Sequence, residues 1–318
     1  GQWADPYLGK DWLAAECLRR IHVDQGVLTI EIELGYPVAG CKEEMASDVR
    51  AHLQVAFPQL SQIDVGISWR IAAHAIAGKA VPMRRVSNMI AVASGKGGVG
   101  KSTTAVNLAL ALTAEGARVG LLDADIYGPS IPQLMGLPTD SRPETRDQKY
   151  FVPLNAYGVQ LMSMGVLVTE DTPMVWRGPM ASGALQQLLN QTLWEDLDYL
   201  IVDMPPGTGD IQLTLSQSCP LTGAVIVTTP QDIALLDARK GIEMFRKVNI
   251  PVLGVIENMS QHICSQCGYM EHIFGQGGGE HIARDYAAAF LGALPLDIRI
   301  REQSDAGKPV VIADPAGK

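Results

Sequence analysis

The fold is decided by residues 94–103, which read Ser94-Gly95-Lys96-Gly97-Gly98-Val99-Gly100-Lys101-Ser102-Thr103. This stretch contains the pattern G-x-x-x-x-G-K-[ST], whose glycines let successive backbone N–H groups turn toward an anion. An apolar run at 89–93 precedes it, and a helical run at 105–114 follows it. Because the loop would open a helix, the helix dipole would also favour negative charge there. A strand, this loop and a helix in that order predict a loop that binds the phosphates of a nucleoside triphosphate.

The pattern gives individual positions of the loop a role. We expect Lys101 to bridge the β- and γ-phosphates and Ser102 to ligate Mg²⁺. A simple glycine-rich turn is the alternative, because glycine makes up 32 of the 318 residues, but the flanking strand and helix favour the phosphate loop. The residues predicted to contact the nucleotide are Gly95, Lys96, Gly97, Gly98, Val99, Gly100, Lys101, Ser102 and Thr103.

Two further apolar runs end in the carboxylates that such a site needs. One reads Leu121-Leu122-Asp123-Ala124-Asp125, and the other reads Leu200-Ile201-Val202-Asp203. In an open α/β sheet the carboxyl ends of the strands face the ligand crevice. We therefore expect Asp123 and Asp203 to hold Mg²⁺ directly or through water, and Asp125 to orient the attacking water. A single aspartate at a strand end is often a turn residue, whereas three beside one loop indicate a site.

From about residue 87 onward the chain consists of short apolar strands separated by helical stretches. Strands that are apolar on both faces lie between helices in a parallel sheet. The sequence therefore predicts an α/β domain with a doubly wound, mostly parallel sheet. The predicted strands are 89–93, 119–122, 199–202, 224–227 and 252–256.

The residues before this domain follow a different pattern. Apolar and polar residues alternate at 28–34 and at 63–69, which predicts two half-buried strands. Helical patterns occur at 12–21 and from about 43 to 57, so that the segment predicts a small α+β domain. We place the small domain at 1–75, a linker at 76–87 and the phosphate-loop domain at 88–318.

Composition excludes several classes of protein. The 25 lysines and arginines against 34 aspartates and glutamates give a net charge of −9, which argues against a nucleic-acid partner. We find no apolar run long enough to span a membrane and no signal pattern at the N-terminus, so we expect a cytoplasmic protein without a membrane partner. Five cysteines in 318 residues indicate reduced thiols or metal ligands rather than a disulfide framework.

Cys264 and Cys267 form a C-x-x-C pair, whose spacing lets two thiolates on one turn face one metal ion or cluster. Two thiolates are half of a four-ligand shell. Other residues of the chain would complete it, or the same pair of a second copy would do so across a two-fold axis. These residues alone leave four interpretations of the pair open: an iron–sulfur cluster site, a zinc site, a redox-active pair and a turn without a ligand. The candidates within the chain are Cys17, Cys41, Cys219, His262 and His272.

Residues 95–102 resemble the deviant Walker A loop of the MinD/ParA/nitrogenase-iron-protein class. Within this class the chain is most similar to iron–sulfur cluster carriers of the Mrp/ApbC type, many of which carry a small N-terminal DUF59/MIP18-like domain. Residues 37–41, which end in Cys41, resemble a loop of that small domain. Further strings that carry the resemblance are Asp123-Ala124-Asp125-Ile126-Tyr127-Gly128-Pro129-Ser130, Met204-Pro205-Pro206-Gly207-Thr208-Gly209-Asp210, Glu257-Asn258-Met259 and Cys264-Ser265-Gln266-Cys267.

The resemblance implies a homodimer that binds ATP and Mg²⁺ and hydrolyses ATP slowly. It implies that Lys96 reaches the nucleotide of the partner subunit, and that the Asn258 amide contacts adenine. A 4Fe-4S cluster would bridge Cys264 and Cys267 of both subunits and pass to apo iron–sulfur proteins. By the same resemblance Cys41 would hold a cluster transiently, although a lone cysteine is more often a small buried hydrophobe. Cys17 lies in an apolar pattern and is interpreted as a core residue.

Two other functions are consistent with the same loop. A MinD- or ParA-like positioning ATPase would assemble on a membrane or on DNA. Members that bind membranes end in a basic amphipathic helix, whereas Pro309 and Pro315 interrupt residues 308–318 of this chain. A zinc-stapled regulatory ATPase without cluster transfer would differ only in the metal at the cysteine pair.

Overall fold

The computed structural model describes residues 3–76, 81–166 and 178–315. Two compact units make up the chain: Gly1–Ala73 with Leu112–Ala117, and His74–Ala111 with Arg118–Lys318. Of the predicted linker at 76–87, residues 77–80 lie outside the described residues.

The first unit contains a three-stranded sheet and one helix. The strands are β1 Leu18–Asp24, β2 Val27–Leu34 and β3 Gln62–Trp69, and the helix is α1 Lys42–Ala56. Strand β2 lies in the centre, antiparallel to β1 and parallel to β3. The alternating side chains of β2 pack with the buried face of α1 in one core. The predictions for 28–34, 63–69 and 43–57 are confirmed.

The helix predicted at 12–21 is wrong. Residues 12–16 form turns, and strand β1 follows them. A two-residue turn after β1 allows β1 to pair with β2 in an antiparallel hairpin. Gln25 and Gly26 occupy this turn with φ of 46° and 84°, the left-handed backbone that a tight hairpin requires. Ile21 is 57% exposed on the edge strand, so the apolar spacing did not mark a buried helical face. Cys17 is buried, as expected.

The second unit is built on an eight-stranded sheet flanked by helices. Its strands, with two short hairpins, are β4 Val86–Ala93, β5 Val119–Asp123, β6 Thr145–Arg146, β7 Tyr150–Phe151, β8 Leu154–Ala156, β9 Val159–Ser163, β10 Leu197–Asp203, β11 Gly223–Thr228, β12 Val252–Glu257, β13 His262–Ile263, β14 Met270–Glu271 and β15 Ala289–Ala293. The helices are α2 Lys101–Ala114, α3 Ile131–Leu134, α4 Gly178–Gln191, α5 Asp210–Ser218, α6 Asp232–Lys247, α7 Gly278–Asp285, α8 Ile298–Asp305 and α9 Val310–Ala313, with a 3-10 turn at Met164–Val166.

The strand order in the large sheet is β15-β12-β11-β4-β10-β5-β9-β8. All neighbouring pairs are parallel except β8 and β9, so the predicted doubly wound sheet is confirmed. Every residue of β5 and β11 is buried, which is why these strands read as unbroken apolar runs. Strand β10 lies between β4 and β5 and pairs Asp203 with Val92 on one side and with Asp123 on the other. The carboxyl ends of three strands therefore meet beside the loop after β4.

Among the described residues, no helix combines the length and the apolar character needed to cross a lipid bilayer.

Candidate nucleotide site and cysteine pair

The loop at 94–100 joins β4 to α2 in the conformation that its glycines allow. Gly98 and Gly100 have φ of 82° and 84°, in the left-handed region that side chains rarely adopt. A Cβ atom at Gly95 would collide with the backbone carbonyl of Asp237 on α6. Below the loop, the Ser94 hydroxyl donates to the Lys96 carbonyl at 2.9 Å. Close packing and left-handed turns therefore account for three of the glycines in the pattern.

Lys101 is the buried cation of the site and is 6% exposed. Its Nζ donates to Asp203 Oδ1 at 2.7 Å and lies 3.6 Å from Asp125 Oδ2. Ser102 Oγ accepts from the same Nζ at 3.2 Å and donates to Asp203 Oδ2 at 2.6 Å. The structure thus brings together the loop and the strand-end aspartates that the sequence predicted.

Asp123 is fully buried at the end of β5. Its Oδ1 accepts from the Asp125 N–H at 3.1 Å, and its Oδ2 accepts from the Ile131 N–H at 3.2 Å and from Ser163 Oγ at 3.1 Å. Burial, and then the charge of Asp203, raise the pKa of Asp123 to about 7. Ser163 was missed by the sequence analysis. It ends β9 directly opposite Asp123, and its place at the end of a strand was the available signal.

The carboxylates around Lys101 outnumber the cations. Burial raises the pKa of Asp203, and the contact with Lys101 acts against this shift. Asp125 is buried, and its Oδ1 has no hydrogen-bond partner among the described residues. A buried oxygen without a partner is rare and indicates an absent ligand or water. Carboxylate and hydroxyl oxygens are the ligands that Mg²⁺ prefers, so these residues fit that ion.

Asp123→Asn is expected to change how stability depends on pH. With the folded pKa raised to about 7, the native state holds one more proton than the unfolded chain between about pH 4 and pH 7. The stability gained from the protonated Asp123 carboxyl is fully present below about pH 4 and is lost as the pH rises to about 7. From pH 5 to pH 8 the wild type should lose about 2–3 kcal/mol more than the variant in the free energy of unfolding. Urea unfolding of the nucleotide-free protein measures this difference.

Asp140→Asn is the matched control, because Asp140 is exposed. It should keep the pH dependence of the wild type. If Asp123→Asn showed the same fall as Asp140→Asn, the buried carboxyl of Asp123 would not be the titrating group.

A cavity of about 540 Å³ lies beside the phosphate loop. Asn258, which follows β12, lines it, and its Nδ2 donates to the Val99 carbonyl at 2.9 Å. Residues 294–297 form another wall. The position suits a base attached to a phosphate chain, and the contact of Asn258 with adenine stays a prediction.

The cysteine pair lies at the turn of the hairpin β13–β14. The Cys264 N–H donates to the Tyr269 carbonyl at 2.9 Å, and the Gly268 N–H donates to the Cys264 carbonyl at 2.9 Å. Cys264 is half-buried and Cys267 is exposed. Hydrogen bonds from the backbone N–H groups of Gln266 and Cys267 lower the pKa of Cys264, which favours the thiolate that binds metals.

The described candidate ligands of the second unit do not complete a metal shell at this turn. No three His, Cys, Asp or Glu side chains converge on a metal position within 3–76, 81–166 and 178–315. Cys219 is buried, and burial raises its pKa to about 12. His262 Nδ1 and His272 Nδ1 lie 3.0 and 2.7 Å from the carbonyls of Leu296 and Ser260. Among the described residues, Cys264 and Cys267 therefore have no third side chain of these types beside them at a metal position.

Cys41 belongs to the first unit and precedes α1 as its N-cap residue. It is half-buried, with Sγ 3.8 Å from the sulfur of Met45. Burial raises the pKa of its thiol. A transient role in holding a cluster stays a prediction.

A phosphate loop between β4 and α2, with aspartates at the ends of neighbouring strands, defines a P-loop NTPase. The chain belongs to the ParA family of these NTPases, whose model, described as NUBPL iron-transfer P-loop NTPase, matches residues 85–318. A second family model, described as iron-sulfur cluster assembly protein, matches residues 2–65. The resemblance stated from the sequence is confirmed.

Several known proteins are similar over most of the chain. A protein of Pseudomonas fragi named iron-sulfur cluster carrier protein is 63% identical over 266 residues, which are 83% of this chain and 93% of that protein. A protein of the same name from Haemophilus influenzae is 52% identical and covers 99% of this chain and 84% of its own length. The solved nucleotide-binding protein of Archaeoglobus fulgidus, in complex with ADP, is 38% identical with a TM-score of 0.63, over 70% of this chain and 88% of that one.

Proposed function

We propose that this protein is an ATP-dependent iron–sulfur cluster carrier. It binds a cluster at the Cys264–Cys267 pairs of a homodimer, hydrolyses ATP slowly and transfers the cluster to apo iron–sulfur proteins. The observation that carries the proposal is the partly exposed Cys264–Cys267 pair on the same domain as a complete phosphate loop. The names of the similar proteins support a carrier over a positioning ATPase.

The nucleotide half of the proposal rests on the buried charges. Lys101 would reach the β- and γ-phosphates, while Ser102, Asp203 and Asp123 would hold Mg²⁺, and the contacts of Lys101 and Ser102 with Asp203 support this arrangement. Bound Mg²⁺ would neutralise negative charge on the phosphates. Asp125 keeps one buried carboxylate oxygen without a partner among the described residues, which suits a group that orients the attacking water.

The dimeric half rests on the surface around the cysteines. Four large apolar side chains there are 50–67% exposed, namely Ile263, Tyr269, Met270 and Ile273. An apolar surface of this kind indicates an interaction site, and a second copy of the chain would cover it. The same two-fold contact would give four thiolates and would bring Lys96 to the partner's nucleotide. The domain boundaries at 75 and 88 and the cytoplasmic location stay predictions.

Anaerobic reconstitution with iron and sulfide tests the cargo. We expect a brown dimer with about four iron and four sulfide per dimer, which is the content of one bridging 4Fe-4S cluster. The double variant Cys264→Ala/Cys267→Ala should lose both colour and iron, while Cys219→Ala, at a buried cysteine away from the hairpin, should keep them.

Two results would contradict this proposal. A colourless wild type that holds zinc tightly would place the protein among structural-metal ATPases. A double variant that stayed brown would indicate that other cysteines bind the cluster, and Cys41 would be the first of these to test. Transfer of the cluster to an apo-ferredoxin, followed by the absorbance of the recipient, then tests the carrier activity itself.

A further inference from the structure

A short connection joins the nucleotide cavity to the cysteine hairpin. Asn258 lines the cavity at the end of β12, and Cys264 begins the turn of the hairpin only six residues later. Met259, between them, has φ of 57°, a left-handed backbone that a non-glycine residue keeps only when its neighbours hold it. The backbone conformation of the connection at 258–264 is therefore fixed by its neighbours.

Residues 294–297, which we call the cavity strap, hold the outgoing side of this connection. Ser260 donates to the Leu294 carbonyl twice, from its N–H and from its Oγ, both at 3.0 Å. The Leu296 N–H donates to the Gln261 carbonyl at 2.8 Å, and His262 Nδ1 lies 3.0 Å from the Leu296 carbonyl. The cavity strap thus bonds to the connection along its length.

The returning side of the hairpin is fixed to the same place. His272, directly after β14, has its Nδ1 2.7 Å from the Ser260 carbonyl. Because a carbonyl only accepts, this nitrogen carries the proton. Ser260 is 5% exposed whereas His272 is exposed, so the contact ties a surface side chain to a buried residue. Ser260 therefore joins three parts of the molecule: the connection, the cavity strap and the returning limb of the hairpin.

The cavity strap and Asn258 also form walls of the nucleotide cavity. A base that fills the cavity touches them on one face, while the Ser260 and His272 contacts hold the hairpin on the other. The two faces belong to one hydrogen-bonded segment.

We propose that Ser260 and His272 are positioning residues that couple occupation of the nucleotide cavity to retention of the cluster at Cys264 and Cys267. This inference rests on the proposed function and adds the route of the coupling. Nucleotide fixes the cavity strap, the strap fixes Ser260, and His272 passes the restraint to the hairpin.

The test uses the full-length protein loaded with cluster under anaerobic conditions. Cluster loss to a ferrous-iron chelator is followed by absorbance, with and without Mg²⁺ and a non-hydrolysable ATP analogue. For the wild type we expect loss to be at least fivefold slower with the analogue. For His272→Ala we expect the rates of cluster loss with and without the analogue to lie within twofold of each other. The iron content and the affinity for the analogue should be unchanged.

Two matched variants separate a specific contact from general damage. His272→Asn keeps an amide N–H near the position of Nδ1 and should restore the wild-type ratio. His281→Ala changes an exposed histidine on α7 and should leave the ratio unchanged. The inference would be overturned if His272→Ala kept the wild-type ratio of cluster-loss rates without and with the analogue. It would also be overturned if the wild type held a cluster but lost it at the same rate with and without the analogue.

A second readout does not need the cluster. Backbone hydrogen exchange at 262–271 should slow on addition of the analogue in the wild type and in His272→Asn, but not in His272→Ala. If the wild type held no cluster, the proposed function would fail, while this measurement would still decide the coupling. Unchanged exchange in the wild type hairpin would overturn the coupling whatever the cargo is.

Discussion

A protein with Lys101→Ala is expected to lose ATP hydrolysis entirely and to bind ATP about 30- to 5000-fold more weakly, since truncating one partner of a buried charge pair costs about 2–5 kcal/mol. Lys101 is the cation in contact with Asp203 and Asp125, and the phosphates would meet those carboxylates directly without it. Calorimetric titration with Mg²⁺ and ATP measures the affinity, and phosphate release measures the rate.

The same variant should be less stable without any nucleotide. Removing one partner of a buried ion pair leaves an uncompensated charge and costs about 3–5 kcal/mol. Lys240→Ala is the control, because Lys240 is 57% exposed in its pair with Asp237 and such pairs contribute about 1 kcal/mol or less. If Lys101→Ala matched Lys240→Ala in both stability and ATP affinity, the buried ion pairs of Lys101 would not stabilise the fold or support ATP binding.

Lys96→Ala is expected to separate binding from hydrolysis. Lys96 is half-buried in the loop, and the proposed homodimer would bring it to the partner's nucleotide, where a second cation stabilises charge that develops during phosphoryl transfer. A cation supplied in this way accounts for about 10³–10⁵ in rate in P-loop NTPases. We therefore expect ATP affinity near that of the wild type and hydrolysis at least a thousandfold slower.

A mixing experiment decides whether Lys96 acts across the dimer. A mixed dimer of Lys96→Ala and Lys101→Ala has one site that binds ATP and receives Lys96 from the other subunit. Hydrolysis should return on mixing, although each variant alone is inactive. If Lys96 acted within its own subunit, every site of the mixed dimer would lack one lysine and no activity would return.

The parts of the fold that the sequence predicted are those fixed by local pattern. The phosphate loop is continuous in the chain, and the runs that end in Asp123 and Asp203 are apolar because the strands are buried on both faces. Parallel pairing then places those ends together beside the phosphate loop, as expected for the carboxyl ends of strands in an open α/β sheet. The hairpin of β1 and β2 was missed because its turn, Gln25-Gly26, is a weaker signal than the apolar spacing at 12–21.

The parts that escaped prediction depend on contacts between distant residues. Ser163 donates to Asp123 across 40 positions of the chain, and residues 294–297 meet residues 260–262 across more than 30. Neither contact has a periodic signature. The Asn258 amide also points to the Val99 carbonyl, a partner that the spacing of the motif does not specify.

The shortage of positive charge around Lys101 has a consequence for the lifetime of the protein. The buried carboxylates of Asp125 and Asp203 share the ammonium group of Lys101, so the empty domain carries an electrostatic cost that a divalent cation brought in with the nucleotide would relieve. By linkage, a ligand at a hundred times its dissociation constant adds about 2.7 kcal/mol to stability. Resistance to proteolysis would then follow the ATP supply, so that a starved cell would clear empty molecules faster than loaded ones.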